Sequence, residues 1–260
     1  MLGRLKIVGA IVAVIGLIGV IGGIFGYTQV QAGANALQGF SKAQNVTLTY
    51  DDQGQLVDRG DPEQGKVILA LLKDTWGWPV NQGDLNPNDP VVNTGTEYMY
   101  QMATIAHHTL DGTTSVTLAE PVAYDGDGDG TVAADAPSYT PETLPQDQAY
   151  LETLRSDANF AAGTYTVPTL ERYWTAFNRT HPLDGKAREL AWSGTVHGLF
   201  AELGVGATSF SALQMGQALA LIAVAFGILF IITGLGLVWA ASPQLAWNRK
   251  SAPQQAPIAA

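Results

Sequence analysis

The chain has 260 residues, no cysteine, and 23 acidic against 13 basic side chains, a formal charge of −10. Lack of cysteine excludes disulfides, thiolate catalysis, iron–sulfur ligation and c-type haem attachment, and it speaks against a lipoprotein anchor. Strong acidity argues against nucleic acid as a partner, because like charges repel.

Residues 7–27 form an uncharged apolar run, and residues 214–247 form a second with an apolar core at 218–241. A bilayer core takes about 20 apolar residues in a helix, so transmembrane helices are predicted over 7–27 and 214–241. Arg4 and Lys6 precede the first span, and Arg249 and Lys250 follow the second. With no acid outside either span, the positive-inside rule predicts both termini in the cytoplasm and residues 28–213 outside it, at a plasma membrane. The outer region then holds all 23 acids and a formal charge of −14. The cytoplasmic parts, 1–6 and 242–260, are expected to be too short for a catalytic or signalling domain. The second is rich in Pro, Ala and Gln and is predicted to be disordered. The first run also has the charged start of a signal peptide, with candidate cleavage motifs at 30–32 and 32–34. Its length exceeds the usual apolar region of roughly 7–15 residues, which favours an uncleaved span.

Glycine recurs in the first span, and Gly19-xxx-Gly23 and Gly22-xxx-Gly26 are small-xxx-small pairs. The second span offers Ala223-xxx-Gly227, then Gly234 and Gly236. Such faces let helices approach closely, so the spans are expected to pack on each other or on another membrane protein. Neither span core carries an ionisable residue, which argues against a proton or ion path.

Between the spans, residues 29–44 are predicted to continue the first helix. Residues 46–50 alternate, 51–54 are turn chemistry and 55–58 return, as in a hairpin. Asp61-Pro62-Glu63 predicts a helix running to about Lys73, from an N-cap, a proline at the first position and an early acid. Residues 76–90 read as a loop. A helix is predicted over 94–110 with Tyr98, Met102, Ile105 and Ala106 on one face. Residues 113–118 and 121–124 are strand-like, and 163–167 is a strand expected to pair back on them. Residues 125–159 read as an acidic insertion between the two strands of a hairpin, with a short helix at 146–154. Helices are predicted over 170–177 and 186–203, with a break at 204–206. The predicted fold is α+β, with a helix-dominated extracytoplasmic domain between two transmembrane α-helices.

The sharpest motif is Asp125-Gly126-Asp127-Gly128-Asp129-Gly130-Thr131-Val132. Acids at positions 1, 3 and 5, a turn glycine at 6, a carbonyl at 7 and an apolar residue at 8 match the first half of an EF-hand loop. The second half departs, since position 12 is Ala136 and Asp135 falls one residue short. The expected ligands are Asp125, Asp127, Asp129, Thr131 and Asp135, holding a weak structural Ca²⁺. The alternative is a solvated acidic turn. The histidines, His107, His108, His181 and His197, show no short-range metal spacing. A long-range site built from His108, His181 and His197 would need tertiary convergence. Ser193 lacks the glycines of a nucleophile elbow, although His197 lies one helical turn away. The aromatics Trp76, Trp78, Tyr98, Tyr100, Tyr165, Tyr173, Trp174 and Trp192 read either as core or as a surface for a partner or glycan.

Residues 75–110 (TWGWPVNQGDLNPNDPVVNTGTEYMYQMATIAHHTL) and 181–206 (HPLDGKARELAWSGTVHGLFAELGVG), together with the terminal spans, resemble a group of uncharacterised actinobacterial two-span envelope membrane proteins. Some members are labelled aromatic ring-opening dioxygenase. Non-haem iron chemistry uses two histidines and a carboxylate, and no local spacing here spells that set. The resemblance therefore implies a Gram-positive-type envelope and no particular activity. The expected function is a non-enzymatic, membrane-anchored accessory or scaffolding protein. The alternatives are a binding module for a glycan, lipid or metal, and a metal-dependent enzyme.

Overall fold

The computed structural model describes residues 2–242; Arg249, Lys250 and the remainder of the predicted tail lie outside the described residues. Contacts divide the described residues into two compact units, residues 2–40 with 209–242, and residues 41–208. Residues 2–40 of helix α1 (Leu2–Gln44) and 209–240 of helix α6 (Gly194–Ala240) build the first unit, and both helices are long and apolar enough to cross a membrane.

Within that unit the two helices run antiparallel with backbone against backbone. Gly9, Gly16 and Gly23 of α1 face Gly234, Gly227 and Ala220 of α6, each series spaced by seven residues. A methyl group added at Gly16 would stand 2.5 Å from the Gly227 carbonyl oxygen, and one at Gly227 would stand 2.7 Å from that of Gly16. At Gly234 it would lie 2.5 Å from the Gly9 oxygen, and at Gly23 it would lie 2.8 Å from the Ala220 oxygen. Seven residues are close to two helical turns, so the spacing keeps one stripe on the partner over the whole contact. The expected pair Gly22-xxx-Gly26 is not the packing face. Gly22 meets nothing within 4 Å, and a Cβ at Gly26 would reach only the Ala220 Cβ, at 3.9 Å. Gly19 lies at the seam's edge, 3.4 Å from the Gly227 Cα by the same measure, and Gly236 faces open space. The outward faces carry exposed Ile18, Phe25, Phe226, Ile232 and Trp239, an apolar surface suited to lipid.

The second unit is mixed α and β. A tight turn, with the Asp51 carboxylate accepting from the Gln53 and Gln55 amides, reverses the chain after Tyr50. The expected hairpin is present as a short ladder: Tyr50 bridges Leu56, the Val57 amide donates to the Thr49 carbonyl and the Asp51 amide to the Gln55 carbonyl, while Thr47 pairs with Val91. Helix α2 (Pro62–Ala70) starts as predicted: Asp61 caps the Glu63 amide at 2.8 Å and Pro62 occupies the first turn. It continues as a π-helical turn, Leu71–Thr75, closed by Trp76 N–H to the Leu71 carbonyl at 3.0 Å. Helix α3 (Gly95–Leu110) opens with a reciprocal capping box between Thr94 and Glu97. Glu97 is 1% exposed; its carboxylate accepts from the Asn93 and Thr94 amides, and burial raises its pKa.

The strands nest. β1 (Thr113–Leu118) pairs antiparallel with β5 (Gly163–Pro168), and inside them β2 (Val122–Tyr124) pairs antiparallel with β4 (Ala158–Phe160). β3 (Ser138–Tyr139) adds a parallel edge to β4. The acidic segment and α4 (Asp147–Thr153) therefore leave from β2 and return into β4. Helix α5 (Asp184–Ala191) packs on β1.

Two expectations are corrected. Residues 170–177 form no α-helix. Leu170 and Glu171 take left-handed φ values of 53° and 55°, and only a 3₁₀ turn, Trp174–Ala176, remains. Tertiary bonds win over local propensity here. The Thr169 hydroxyl donates to the Leu110 and Gly112 carbonyls, and the Glu171 amide donates to Leu110. Nor does the chain break at 204–206, since α6 runs through it. The break falls at Trp192, whose indole N–H donates to the Arg172 carbonyl, and Ser193 then caps α6 through the Val196 amide. Gly206 is kept free of a side chain by Tyr98, whose ring would lie 2.6 Å from a Cβ there.

One apolar cluster, including Val116, Tyr150, Phe160, Tyr165, Val167 and Leu183, fills the space between strands and α5. A second joins Ile68, Leu72, Tyr98, Ala103 and Leu203. A buried ion pair ties the first cluster together. Both terminal nitrogens of Arg172 reach the Asp184 carboxylate, at 2.9 and 2.8 Å, and Asp184 is fully buried. The Asn178 amide and Tyr150 hydroxyl complete its shell.

Candidate functional site

The acidic loop between β2 and α4 is built by its own backbone. Gly128 and Gly130 adopt φ values of 80° and 93°, which side-chain-bearing residues rarely tolerate. That winding brings the Gly128 and Gly130 amides onto the two oxygens of Asp125, at 2.6 and 2.8 Å. Gly126 rests on the backbone of Ser156, where a Cβ would come within 2.2 Å of the carbonyl oxygen. This contact draws the loop onto the residue that sequence reasoning missed. Asp157 accepts from the Ala133 amide at 2.7 Å and from the Gly126 amide at 2.9 Å. Those bonds favour the ionised carboxylate and hold its pKa below the usual value.

Asp125, Asp127 and Asp157 each offer an oxygen within 4.8 Å of the others, the one such group of His, Asp or Glu among the described residues. Oxygens that share a Ca²⁺ lie about 2.3–2.6 Å from it, so this spacing suits a common hard cation. Three carboxylates supply only part of a shell of roughly 6–8 oxygens, leaving places for carbonyls or water. The expected ligands divide. Asp125 and Asp127 join the group. Asp129 instead accepts from the Thr131 amide and hydroxyl, both at 2.8 Å, and Asp135 is not part of the group. Asp157 sits 32 residues after Asp125, and its only local signal is its position just ahead of a strand.

The histidines have separate surroundings. His107 lies 2.6 Å from Asp111 through Nδ1 and 2.8 Å from Gln64 through Nε2, while His108 meets Asp58 at 3.1 Å. His181 is 1% exposed, ringed by Tyr124, Phe160 and Tyr150. Its Nδ1 accepts from the Leu183 and Asp184 amides, and burial pushes its pKa down to about 4. His197 packs edge-on to Trp174 and Trp192, and its Nδ1 faces the Ser193 backbone carbonyl rather than the hydroxyl. The set His108, His181 and His197 therefore does not form a metal-ligand group among the described residues. The aromatics are divided: Tyr98, Tyr100, Tyr165 and Trp192 are buried, whereas Tyr173 is 41% exposed.

Comparisons with models of protein families, with curated proteins and with solved structures found no match to this chain.

Proposed function

We propose that this is a non-enzymatic, membrane-anchored accessory or scaffolding protein of a bacterial envelope, its acidic α+β unit held outside the cytoplasm by a two-helix hairpin. The observation that carries this reading is the backbone-to-backbone seam of Gly9, Gly16 and Gly23 against Gly234, Gly227 and Ala220. Such a seam orders two spans as one element, and its apolar outer faces offer a surface to lipid or to another membrane protein. The −14 formal charge between the spans favours basic partners. The sequence resemblance to actinobacterial two-span envelope proteins fits the same setting. Purification in mild detergent followed by native mass spectrometry should recover a stoichiometric partner; a clean monomer from native membranes would count against the reading.

A second feature within this reading is a weak structural Ca²⁺ site on Asp125, Asp127 and Asp157, supported by their shared 4.8 Å group. Bound there, the ion would tie the insertion to the start of β4 and offset the mutual repulsion of three carboxylates. Calorimetry on the full chain should show Ca²⁺ binding that Asp157→Asn removes; absence of heat at millimolar Ca²⁺ would end it.

A further inference from the structure

A cleft of about 330 Å³ opens between α2 with its π turn, the C-terminal end of α3 and the loop after β5. Its apolar lining comes from Val67, Ala70, Leu71 and Leu110. Its rim carries three carboxylates, Asp74, Asp111 and Glu171, with no lysine or arginine among the lining residues. Asp111 is matched by His107 at 2.6 Å. Asp74 and Glu171 have no ion-pair partner among the described residues.

Two departures from regular backbone build this rim. The π turn Leu71–Thr75 carries Asp74 and Thr75 to the cleft, and π turns recur where a helix must re-aim its side chains. Opposite it, Leu170 and Glu171 sit at φ 53° and 55°, conformations that cost of order 1–3 kcal/mol each in non-glycine residues. The Glu171 amide bond to Leu110 holds them. Tyr173 forms a fixed aromatic wall. Its hydroxyl accepts from the Trp76 indole at 2.9 Å, and its ring stacks on Trp192 with centroids 5.7 Å apart. Val67 remains 47% exposed beside it.

We propose that this cleft binds a small organic cation, an ammonium head on an aliphatic stem. The stem covers Val67, Ala70 and Leu71, and the head lies between Asp74 and Glu171 near the Tyr173 ring, which favours cations through its electron-rich face. The cavity is of the size that takes small ligands. An anion would face uncompensated carboxylates, and a wholly apolar ligand would strip water from them without return. This inference goes beyond the scaffolding reading and does not depend on it.

The test is calorimetry on the full chain in phosphatidylcholine nanodiscs, with empty discs as blank and n-pentylammonium as probe. Saturable binding is expected, with none for n-hexanoate, which has the same stem and the opposite charge. Because Asp74 and Glu171 are exposed, the pair Asp74→Asn and Glu171→Gln should fold normally and weaken binding roughly tenfold or more, from two lost charge-assisted contacts. Ala70→Trp, which fills the cleft from an exposed lining position, should abolish binding with an unchanged melting midpoint. Absence of saturable binding, equal binding of n-hexanoate, or indifference to both variants would each overturn the proposal.

Discussion

The two units solve the problem of close packing in opposite ways. In the helical pair the contact depends on removing side chains, so glycines at 9, 16, 23, 227 and 234 let carbonyl meet backbone. In the unit of residues 41–208 the core depends on adding polar groups, with Arg172, Asp184, Tyr150 and Asn178 bonded inside an apolar cluster. The difference follows from the surroundings. In the proposed membrane setting, exposed apolar side chains gain nothing by leaving lipid, and the helices associate through fit and van der Waals contact. Burial from water supplies the drive for the second unit, and a fully bonded ion pair is tolerable there because its groups are satisfied.

The comparison breaks most sharply at Asp184. Replacing it with Ala strands the Arg172 guanidinium in the core, and chemical denaturation should show a loss of about 3–5 kcal/mol. The helical pair should be unaffected, since Asp184 belongs to the other unit.

Acid should find the same unit next. His181 has its folded pKa lowered to about 4 against 6.5 unfolded, so the unfolded chain takes up the proton first as pH falls. Its contribution is complete above pH 6.5 and is lost progressively between 6.5 and 4, amounting to about 3 kcal/mol across the window. Denaturation at pH 7 and pH 4.5 should show this slope, and His181→Asn, which keeps an acceptor for the Leu183 and Asp184 amides, should flatten it. An unchanged slope would move the pH dependence elsewhere.

The helical pair should respond to bulk rather than charge. Gly16→Leu places a side chain where a Cβ alone would lie 2.5 Å from a facing carbonyl. The cost is about 1–3 kcal/mol or separation of the helices, whereas Gly22→Leu, facing open space, should be neutral. Interhelical distances from paired spin labels would separate the two variants.

The smallest effect expected is that of calcium. With a Kd of about 1 mM, typical of weak extracellular sites, 10 mM Ca²⁺ should add roughly 1.4 kcal/mol. A melting shift that persists in Asp157→Asn would deny the site.

What was legible in the sequence were features whose causes are local. Asp61-Pro62 and Thr94-x-x-Glu97 start helices through bonds spanning two or three residues, and both starts are where they were predicted. Strands β1, β2 and β5 fall on the segments predicted from alternation, whereas β3 and most of β4 lie within the stretch read as an insertion. What was hidden depends on distant partners. Glycine spacing of seven could be seen in α1, yet small-xxx-small pairs drew attention to Gly22 and Gly26, which α6 does not touch closely. Residues 170–177 have helical composition, but the Thr169 and Glu171 bonds to Leu110 and Gly112 override it. Gly204 and Gly206 read as a break, but α6 runs unbroken through them, and Gly206 packs closely against Tyr98. Asp157 joins Asp125 and Asp127 only because β2 and β4 pair, a long-range register that no motif of consecutive residues records.

The seam between the spans is the claim on which the proposed architecture stands, and the cysteine-free chain allows a direct test. A Cβ at Gly26 would lie 3.9 Å from the Ala220 Cβ, within the usual disulfide range. Gly26→Cys with Ala220→Cys, oxidised in native membranes, should form a bond within one chain, and adding Gly16→Leu should prevent it. Cross-links only between chains, or none at all, would contradict the glycine-packed hairpin.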